Sequence, residues 1–131
     1  MTHQDIIISI KHEFAQKIYH GTKTFELRKH EPKIKPGTRC WIYEPMPVGK
    51  ITGYFYYRGC LKTSVDSFWA SYRHESGIDF FRYTNYYLGH QFVHAWMVGA
   101  SHMIPPTELS AWGVTMAPQF YMKLEWKEVE L

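Results

Sequence analysis

The feature that most restricts the fold of this chain is a change of hydrophobic period near its N-terminus. Residues 5–10 form a short apolar run rich in β-branched side chains, which is typical of a buried strand. Apolar residues then recur at every fourth position from Ile10 to Ile18, and Gly21 closes this segment, which predicts an amphipathic helix. Residues 23–29 alternate apolar and polar side chains, as a strand with one polar face does. The sequence therefore predicts a strand, a crossover helix and a second strand.

The rest of the chain contains further strand-like and helix-like segments. In chain order, the sequence predicts strands at residues 39–44 and 50–60, a helical hairpin at 64–88, a strand at 91–98, a loop with a short helical turn at 105–113 and a closing strand at 120–126. Strands that surround a crossover helix and a helical insertion indicate an α+β fold. We expect a small, strongly bent sheet that closes into a β-barrel of about five or six strands.

Length and composition narrow the class of protein. A chain of 131 residues suits one domain, so residues 1–131 are predicted to form a single unit with one core. Apolar residues make up 45% and charged residues 21%, which argues against a disordered or fibrous chain. The N-terminus lacks the order of a signal peptide, and no apolar run approaches the roughly 20 residues that span a bilayer. We therefore expect a cytoplasmic protein with no membrane partner, whose oligomeric state these features leave open.

Three charged residues lie close together in the second predicted strand or directly before it. Glu26 and Arg28 are two positions apart and point to the same side of a strand. Lys23 joins them only if it lies in the turn after Gly21, before regular pleating begins. Because polar residues inside a small barrel need partners, Glu26 and Arg28 form either a structural ion pair or the wall of a polar pocket.

Several short motifs occur in this chain together and in a defined order. The segment from Gly21 to Arg28 has the form Gly-x-Lys-x-x-Glu-x-Arg and follows the predicted strand and helix. The other segments are Ile-Ile-Ile-Ser-Ile-Lys, Pro36-Gly37, Trp41-Ile42-Tyr43, the run from Val48 to Gly53, Ser76-Gly77-Ile78, Tyr86-Tyr87-Leu88-Gly89 and Ala117-Pro118-Gln119-Phe120. With these residues the chain resembles the ASCH domain family of the PUA-like superfamily, and the resemblance covers nearly its whole length.

The resemblance implies a PUA-like β-barrel with a cleft beside the first helix, in a superfamily associated with RNA and modified bases. Within the family, a small bacterial group removes the acyl group from the exocyclic amine of N(4)-acetylcytidine. Carried over to this sequence, the catalytic residues of that amidohydrolase group are Lys23, Glu26 and Glu75. This chain departs from the group because it is longer and has glutamate at position 26, where the group has threonine. That departure leaves the part of Glu26 open.

The chemistry of amide hydrolysis also favours Lys23. The reaction needs a nucleophile or an activated water, support for the oxyanion and an acid for the leaving amine. In an apolar cleft near Arg28, the Lys23 ammonium is destabilised, which favours a neutral amine, whereas a nearby carboxylate opposes that change. Lys23 is therefore the predicted central catalytic residue, with Glu26 or Glu75 as proton shuttle, and the balance of the two effects stays open.

A modified pyrimidine base or nucleoside, the predicted substrate, also needs stacking partners and groups that bind its polar edges. Aromatic faces and strand-end polar groups offer both kinds of contact. The predicted substrate-binding residues are Arg28, Ser9, Lys11, Tyr43, Glu44 and Tyr72. For each aromatic residue, packing in the core is the alternative interpretation.

A basic segment supports a second hypothesis, in which the partner is RNA. The formal net charge is only +3, but between Arg28 and Arg39 the single acid is Glu31. The RNA-binding residues predicted in this segment are Lys29, Lys33, Lys35 and Arg39. In this alternative the cleft accepts an unpaired or modified base while the segment follows the phosphates, and RNA cleavage by the same cleft residues is a further version of it. A solvated loop without a ligand is the remaining interpretation of this segment.

The sequence predicts no cofactor and no metal. His90 and His94 have the spacing of a metalloprotease helix, but glutamine stands where the general-base glutamate belongs, and the surroundings resemble a strand. The eight histidines do not cluster with the two cysteines, and no glycine-rich loop that would hold phosphates is present in the sequence.

Overall fold

A computed structural model describes residues 4–124 of the chain. Its elements, in order, are β1 (Asp5–Ser9), α1 (His12–Tyr19), β2 (Phe25–Arg28), β3 (Arg39–Glu44), β4 (Lys50–Ser64), α2 (Val65–Tyr72), a 3₁₀ turn (Arg73–Glu75), α3 (Phe80–Tyr86), β5 (Phe92–Thr107), a second 3₁₀ turn (Leu109–Trp112) and β6 (Tyr121–Leu124). The strands form one sheet in the order β2-β5-β4-β3-β1-β6. β1 and β3 are parallel, and the other neighbouring pairs are antiparallel.

The predicted α+β class, with a helix after β1 and a helical insertion between β4 and β5, is confirmed. Among the described residues, β2 and β6 are the two edges of the sheet, so the barrel-like body is an open sheet. Three irregularities in the register between β4 and β5 bend the sheet, as bulges do. No helix within residues 4–124 is long and apolar enough to cross a membrane.

The N-terminal strand and helix form as their hydrophobic periods predict. In β1, Ile6 and Ile8 face α1, while the alternate residue Ile7 packs on the other face of the sheet. In α1, Ala15 and Ile18 are buried against the same cluster as Ile6 and Ile8. This packing fixes α1 across the sheet and brings its N-terminal end beside the C-terminal end of β1.

Two strands are longer than the sequence indicates. β4 continues to Ser64, and β5 continues to Thr107 through a segment that the prolines at positions 105 and 106 suggest is a loop. Those prolines lie where the β4–β5 register shifts, so their missing N–H groups cost no regular ladder bond. The predicted closing strand is β6, and the last two residues of the predicted range, 125 and 126, lie outside the described residues.

The helical insertion, predicted at residues 64–88, is confirmed and has its own apolar cluster. Ser64 caps α2 by accepting from the Ser67 amide at 3.2 Å, and Asp79 caps α3 by accepting from the Arg82 amide at 2.9 Å. The buried members of its cluster are Phe25, Leu27, Phe68, Tyr83, Tyr87, Val93 and Ala95. The insertion therefore packs on β2 and β5 and stands beside α1.

Candidate functional site

A cleft of about 590 Å³ lies at the N-terminal end of α1, between that helix, β2 and α3. Its lining residues come from every segment around this point of the fold. They are Ser9, Ile10, Lys11, Phe14, Lys23, Glu26, Leu27, Arg28, Pro45, Ile78, Arg82, Asn85, Tyr86 and Gln119. The cleft therefore brings together five sequence-predicted site residues, namely Ser9, Lys11, Lys23, Glu26 and Arg28.

The turn between α1 and β2 explains how Lys23 joins the other two charged residues. Gly21 has φ +79° and ends α1, and the Lys23 amide donates to the carbonyl of Lys17 at 3.1 Å. β2 begins only at Phe25, so Lys23 lies before the regular pleat. The odd spacing between Lys23 and Glu26 therefore does not separate their side chains.

The Lys23 amine is buried at the wall of the cleft. Only 3% of the residue is exposed, and Nζ donates to the carbonyl of Ser76 at 2.6 Å. Burial holds the pKa of Lys23 below its ordinary value; Glu26 acts in the opposite direction, and Arg28 and Lys17 add to the depression. A neutral amine keeps N–H groups for Ser76 and leaves a lone pair for chemistry in the cleft.

The insertion holds Lys23 and two nearby residues, Thr24 and Lys17, through three consecutive carbonyl groups. The carbonyls of residues 75–77 accept, in order, from the Thr24 amide at 3.0 Å, from Lys23 Nζ and from Lys17 Nζ at 2.8 Å. Gly77 has φ +70°, and a Cβ built there would lie 2.9 Å from three carbons of the Lys23 side chain. Only glycine fits this close approach, so the insertion acts as a tight cover on the lysine stem.

Glu26 and Arg28 face the cleft as an ion pair in which Glu26 Oε2 and Arg28 Nε have no hydrogen-bond partner among the described residues. Glu26 Oε1 lies 3.3 Å from Arg28 Nε, and Arg28 Nη2 donates to the carbonyl of Ser9 at 3.0 Å. The Arg28 guanidinium also lies 4.6 Å from the centre of the Phe120 ring. Glu26 Oε2 is buried and has no hydrogen-bond partner among the described residues. The pair is therefore structural and, at the same time, offers an unused acceptor to a ligand.

Arg82 closes the cleft on the side of α3. Its guanidinium donates to both carboxylate oxygens of Glu13 at 2.7 and 2.8 Å, and its Nε donates to Asp79 at 2.5 Å. Hydrogen bonds from Arg82 lower the pKa of Glu13 to about 2. Tyr86 lines the same wall, and Lys29 Nζ lies 4.5 Å from the centre of its ring. This wall combines a cation with an aromatic face.

Glu75 does not line the cleft, which corrects the carboxylate expected from the insertion. Its side chain is exposed and accepts from Thr24 Oγ1 at 3.3 Å. The 3₁₀ turn that ends at Glu75 directs backbone carbonyls toward Lys23 and leaves the carboxylate outside. Glu26, which lines the cleft, is therefore the carboxylate placed for the proton-shuttle role that was expected of Glu26 or Glu75.

Three further predicted substrate contacts lie outside the lining. Tyr43 is buried in a cluster on the other face of the sheet with Trp41 and Ile51. Tyr72 packs on Phe25, with ring centres 5.1 Å apart. Tyr43 on its strand and Tyr72 on its helix therefore both point toward apolar clusters and not toward the cleft. Glu44 is buried, and its Oε1 lies 2.5 Å from His12 Nδ1, so its carboxylate is directed beneath α1.

The predicted RNA-binding residues divide into two groups. Lys29 lies at the edge of the cleft over Tyr86, and Lys33 and Lys35 are exposed in the loop between β2 and β3. Arg39 differs from them because it donates to Asp5 at 2.9 and 3.1 Å and lies over Trp41. It belongs to a sheet-face cluster, since it is the first residue of β3, and is not part of the exposed loop.

Sequence reasoning missed much of the apolar and α3 side of the cleft. The missed residues are Ile10, Phe14, Leu27, Pro45, Ile78, Arg82, Asn85, Tyr86 and Gln119. The spacing of Arg82, Asn85 and Tyr86 along α3 is three and four residues, which places them on one helix face and is the signal that could have found them. Within residues 4–124, no group of three or more His, Cys, Asp or Glu side chains is arranged to hold a metal ion.

Comparisons with known proteins agree on one family. The family model described as ASCH domain matches residues 8–106. The ASCH domain-containing ribonuclease of Zymomonas mobilis subsp. mobilis is 29% identical over 106 residues, which cover 81% of this chain and 72% of that protein. The crystal structure of ASCH from Zymomonas mobilis has a TM-score of 0.86 at 27% identity, with 92% of this chain and 87% of that chain covered. A mutant protein of the same ZmASCH gives a TM-score of 0.85 at 26% identity, with coverages of 92% and 90%.

Proposed function

Because this chain belongs to the ASCH domain family, we propose that it is an enzyme that cleaves RNA, with Lys23 as its central catalytic residue. The observation that carries the proposal is the buried Lys23 amine, whose pKa is lowered and which lines a cleft. A lysine that is neutral at working pH is a general base or a nucleophile, and enzymes obtain such lysines by burial. The name of the Zymomonas relative, a ribonuclease, supports RNA as the substrate class.

The size and lining of the cleft suit one unpaired base. Its volume of about 590 Å³ lies within the range of small-molecule sites. Phe14 and Tyr86 offer aromatic faces for stacking. The free Glu26 Oε2 accepts a hydrogen bond from an exocyclic amine or ring N–H, so the base it favours carries a donor at that edge.

For ribonuclease action, the neutral Lys23 amine takes the proton of a ribose 2′-hydroxyl. The 2′-oxygen then forms a bond to the adjacent phosphorus while the bond from phosphorus to the 5′-oxygen breaks and the 5′-oxygen gains a proton. Lys11, Arg28 and Arg82, the other cationic residues of the lining, stabilise the negative charge that develops on the phosphoryl oxygens. The products are a 2′,3′-cyclic phosphate and a chain with a 5′-hydroxyl.

A second candidate is removal of the acyl group from N(4)-acylated cytidine or cytosine. The observation in its favour is the same buried amine, whose pKa is lowered, in a cleft whose lining contains one carboxylate, Glu26. Lys23 would take a proton from water, the water oxygen would bond to the acyl carbon, and the bond from that carbon to N4 would break as N4 gains a proton. Since Glu75 lies outside the cleft, the carboxylate of this version is Glu26.

One comparison of substrates distinguishes the two candidates. Wild type, Lys23→Ala and the control Lys62→Ala are incubated with mixed single-stranded RNA, N(4)-acetylcytidine and N(4)-acetylcytosine. Lys62 is an exposed lysine of β4 that contacts Phe92, outside the cleft lining. RNA cleavage that Lys23→Ala abolishes and Lys62→Ala retains is the expected result. Release of cytidine or cytosine with intact RNA selects the second candidate, and no turnover of any substrate rejects both.

A further inference from the structure

A histidine and a glutamate, each next in the chain to a residue that lines the cleft, form a close pair. His12 Nδ1 lies 2.5 Å from Glu44 Oε1, with 62% of the histidine side chain exposed and 1% of the glutamate side chain exposed. Because Nδ1 faces the carboxylate, the other ring nitrogen, Nε2, lies on the opposite edge of the imidazole. A carboxylate that holds Nδ1 fixes the orientation of the ring.

The buried carboxylate of Glu44 contributes little to the stability of the fold. The second oxygen, Glu44 Oε2, is buried and has no hydrogen-bond partner among the described residues. The charge of Glu44 also raises the pKa of Tyr19, in addition to the larger effect of burial. Burying a carboxylate costs several kcal/mol, whereas an ion pair to an exposed side chain returns about 1 kcal/mol or less. The arrangement is therefore better explained by a task for His12 than by stability.

Both members of the pair are chain neighbours of cleft-lining residues. Lys11 precedes His12, Pro45 follows Glu44, and both line the cleft. The Ile10 amide donates to the carbonyl of Tyr43 at 2.9 Å, which holds the two segments together. Adjacent Cα atoms are about 3.8 Å apart, so the backbone of His12 lies directly beside the cleft lining.

We propose that His12, oriented by Glu44, is the general acid that protonates the leaving 5′-oxygen when the cleft cleaves RNA. This inference rests on the proposed ribonuclease function. Lys23 accepts the proton of the 2′-hydroxyl, and the described lining contains no histidine to donate the second proton. His12 Nε2 gives its proton to the 5′-oxygen as the bond from phosphorus to that oxygen breaks. The protons then exchange with water, which restores the neutral lysine and the imidazolium.

Two substrates that differ only in the leaving group test this assignment. One is a dinucleotide of the base that wild type cleaves, and the other is the matched nucleoside 3′-(4-nitrophenyl phosphate), whose leaving group departs without an acid. We expect His12→Gln to lower kcat for the dinucleotide by about a hundredfold or more and to leave the nitrophenyl ester within about threefold. Lys23→Ala should lose activity on both substrates.

The control is His20→Gln, an exposed histidine that directly follows the C-terminal end of α1 and whose Nδ1 lies 2.7 Å from the carbonyl of Gln16. It should behave as wild type on both substrates. If His12→Gln affects the two substrates equally, or affects neither, the role of His12 is rejected. A strong loss of activity in Lys23→Ala would still support the proposed function in that case. If wild type does not cleave RNA, the proposed ribonuclease function and this inference are both rejected. Glu44→Gln, checked for folding by circular dichroism, should reproduce the same selectivity for the dinucleotide.

Discussion

Glu26 Oε1 lies 3.3 Å from Arg28 Nε, and this ion pair places two opposite charges beside the buried amine of Lys23. The two partners act in opposite directions on the pKa of that lysine. Glu26 raises it and Arg28 lowers it, while burial, the largest cause, sets the overall depression. The pair therefore adjusts how much of the amine is neutral at a given pH.

Glu26→Gln should lower the pKa of Lys23 further, and Arg28→Gln should raise it, because each variant removes one of the two opposing charges. In the proposed mechanism the neutral amine is the active form, so the rising limb of kcat/KM should move to lower pH in the first variant and to higher pH in the second. The same directions should follow from the ¹³Cε shift of Lys23 in an NMR titration. A shift of both variants in one direction would contradict the assignment.

The depressed pKa of Lys23 also predicts how stability depends on pH. Between the lowered pKa and the ordinary value of 10.5, the unfolded chain binds a proton that the folded protein does not. The free energy of unfolding therefore rises by up to about 1.4 kcal/mol per pH unit through this window. Below the pKa of Lys23 in the folded protein, this rise is absent. Lys23→Met should lack this rise in urea unfolding measured between pH 7 and 9.5. Parallel curves for the two proteins would show that Lys23 has no depressed pKa.

The local pattern of the sequence predicted the first part of the fold and the shared side of Glu26 and Arg28, and it left the position of Lys23 open. The change of period near Ser9 predicts β1, α1 and β2, and the turn at Gly21 explains why Lys23 meets Glu26 and Arg28. These features depend on residues close in the chain. Their geometry therefore follows from helix and strand periods.

Long-range contacts account for what the sequence did not predict. Glu44 pairs with a histidine 32 positions earlier, and the insertion presents carbonyl groups to Lys23 where a carboxylate, Glu75, was expected. Neither arrangement has a local period, because each depends on how separate elements pack. The extension of β5 to Thr107 is similar, since a register shift accommodates prolines that locally favour a loop.

Gly77→Ala should lower stability and turnover by more than the backbone strain of an alanine at positive φ explains, because the new side chain contacts Lys23. The new Cβ would lie 2.9 Å from the Lys23 stem, whereas a Cβ at Gly89, which has φ +80°, would meet nothing within 4 Å. Both substitutions place alanine at positive φ, at a cost of about 1–2 kcal/mol, and the contact adds about 1–3 kcal/mol at Gly77 alone. Urea unfolding and turnover of the two variants measure the difference. Equal losses in both variants would mean that the Gly77 contact does not matter.

Tyr86 should contribute a stacking face to the bound base. Tyr86→Phe keeps the ring and should retain affinity, whereas Tyr86→Leu should weaken binding by about 1–3 kcal/mol. Phe81→Leu is the matched control, because Phe81 is an exposed aromatic residue of α3 that does not line the cleft. Fluorescence anisotropy with a short labelled RNA measures all three. Equal weakening by the Phe81 and Tyr86 leucine variants would indicate a general effect of the insertion.

The loop between β2 and β3 should supply contacts to the phosphates outside the cleft. Lys33→Glu/Lys35→Glu changes the formal net charge from +3 to −1, since each reversal removes two charges. Arg58→Glu/Lys62→Glu makes the same change at exposed positions of β4, which are not part of the loop. If two phosphate contacts are lost, the slope of log K against log salt for single-stranded RNA becomes shallower by about 1.4 in the loop variant. We expect the β4 variant to keep the wild-type slope, and a similar change in both variants would attribute binding to net charge and not to the loop.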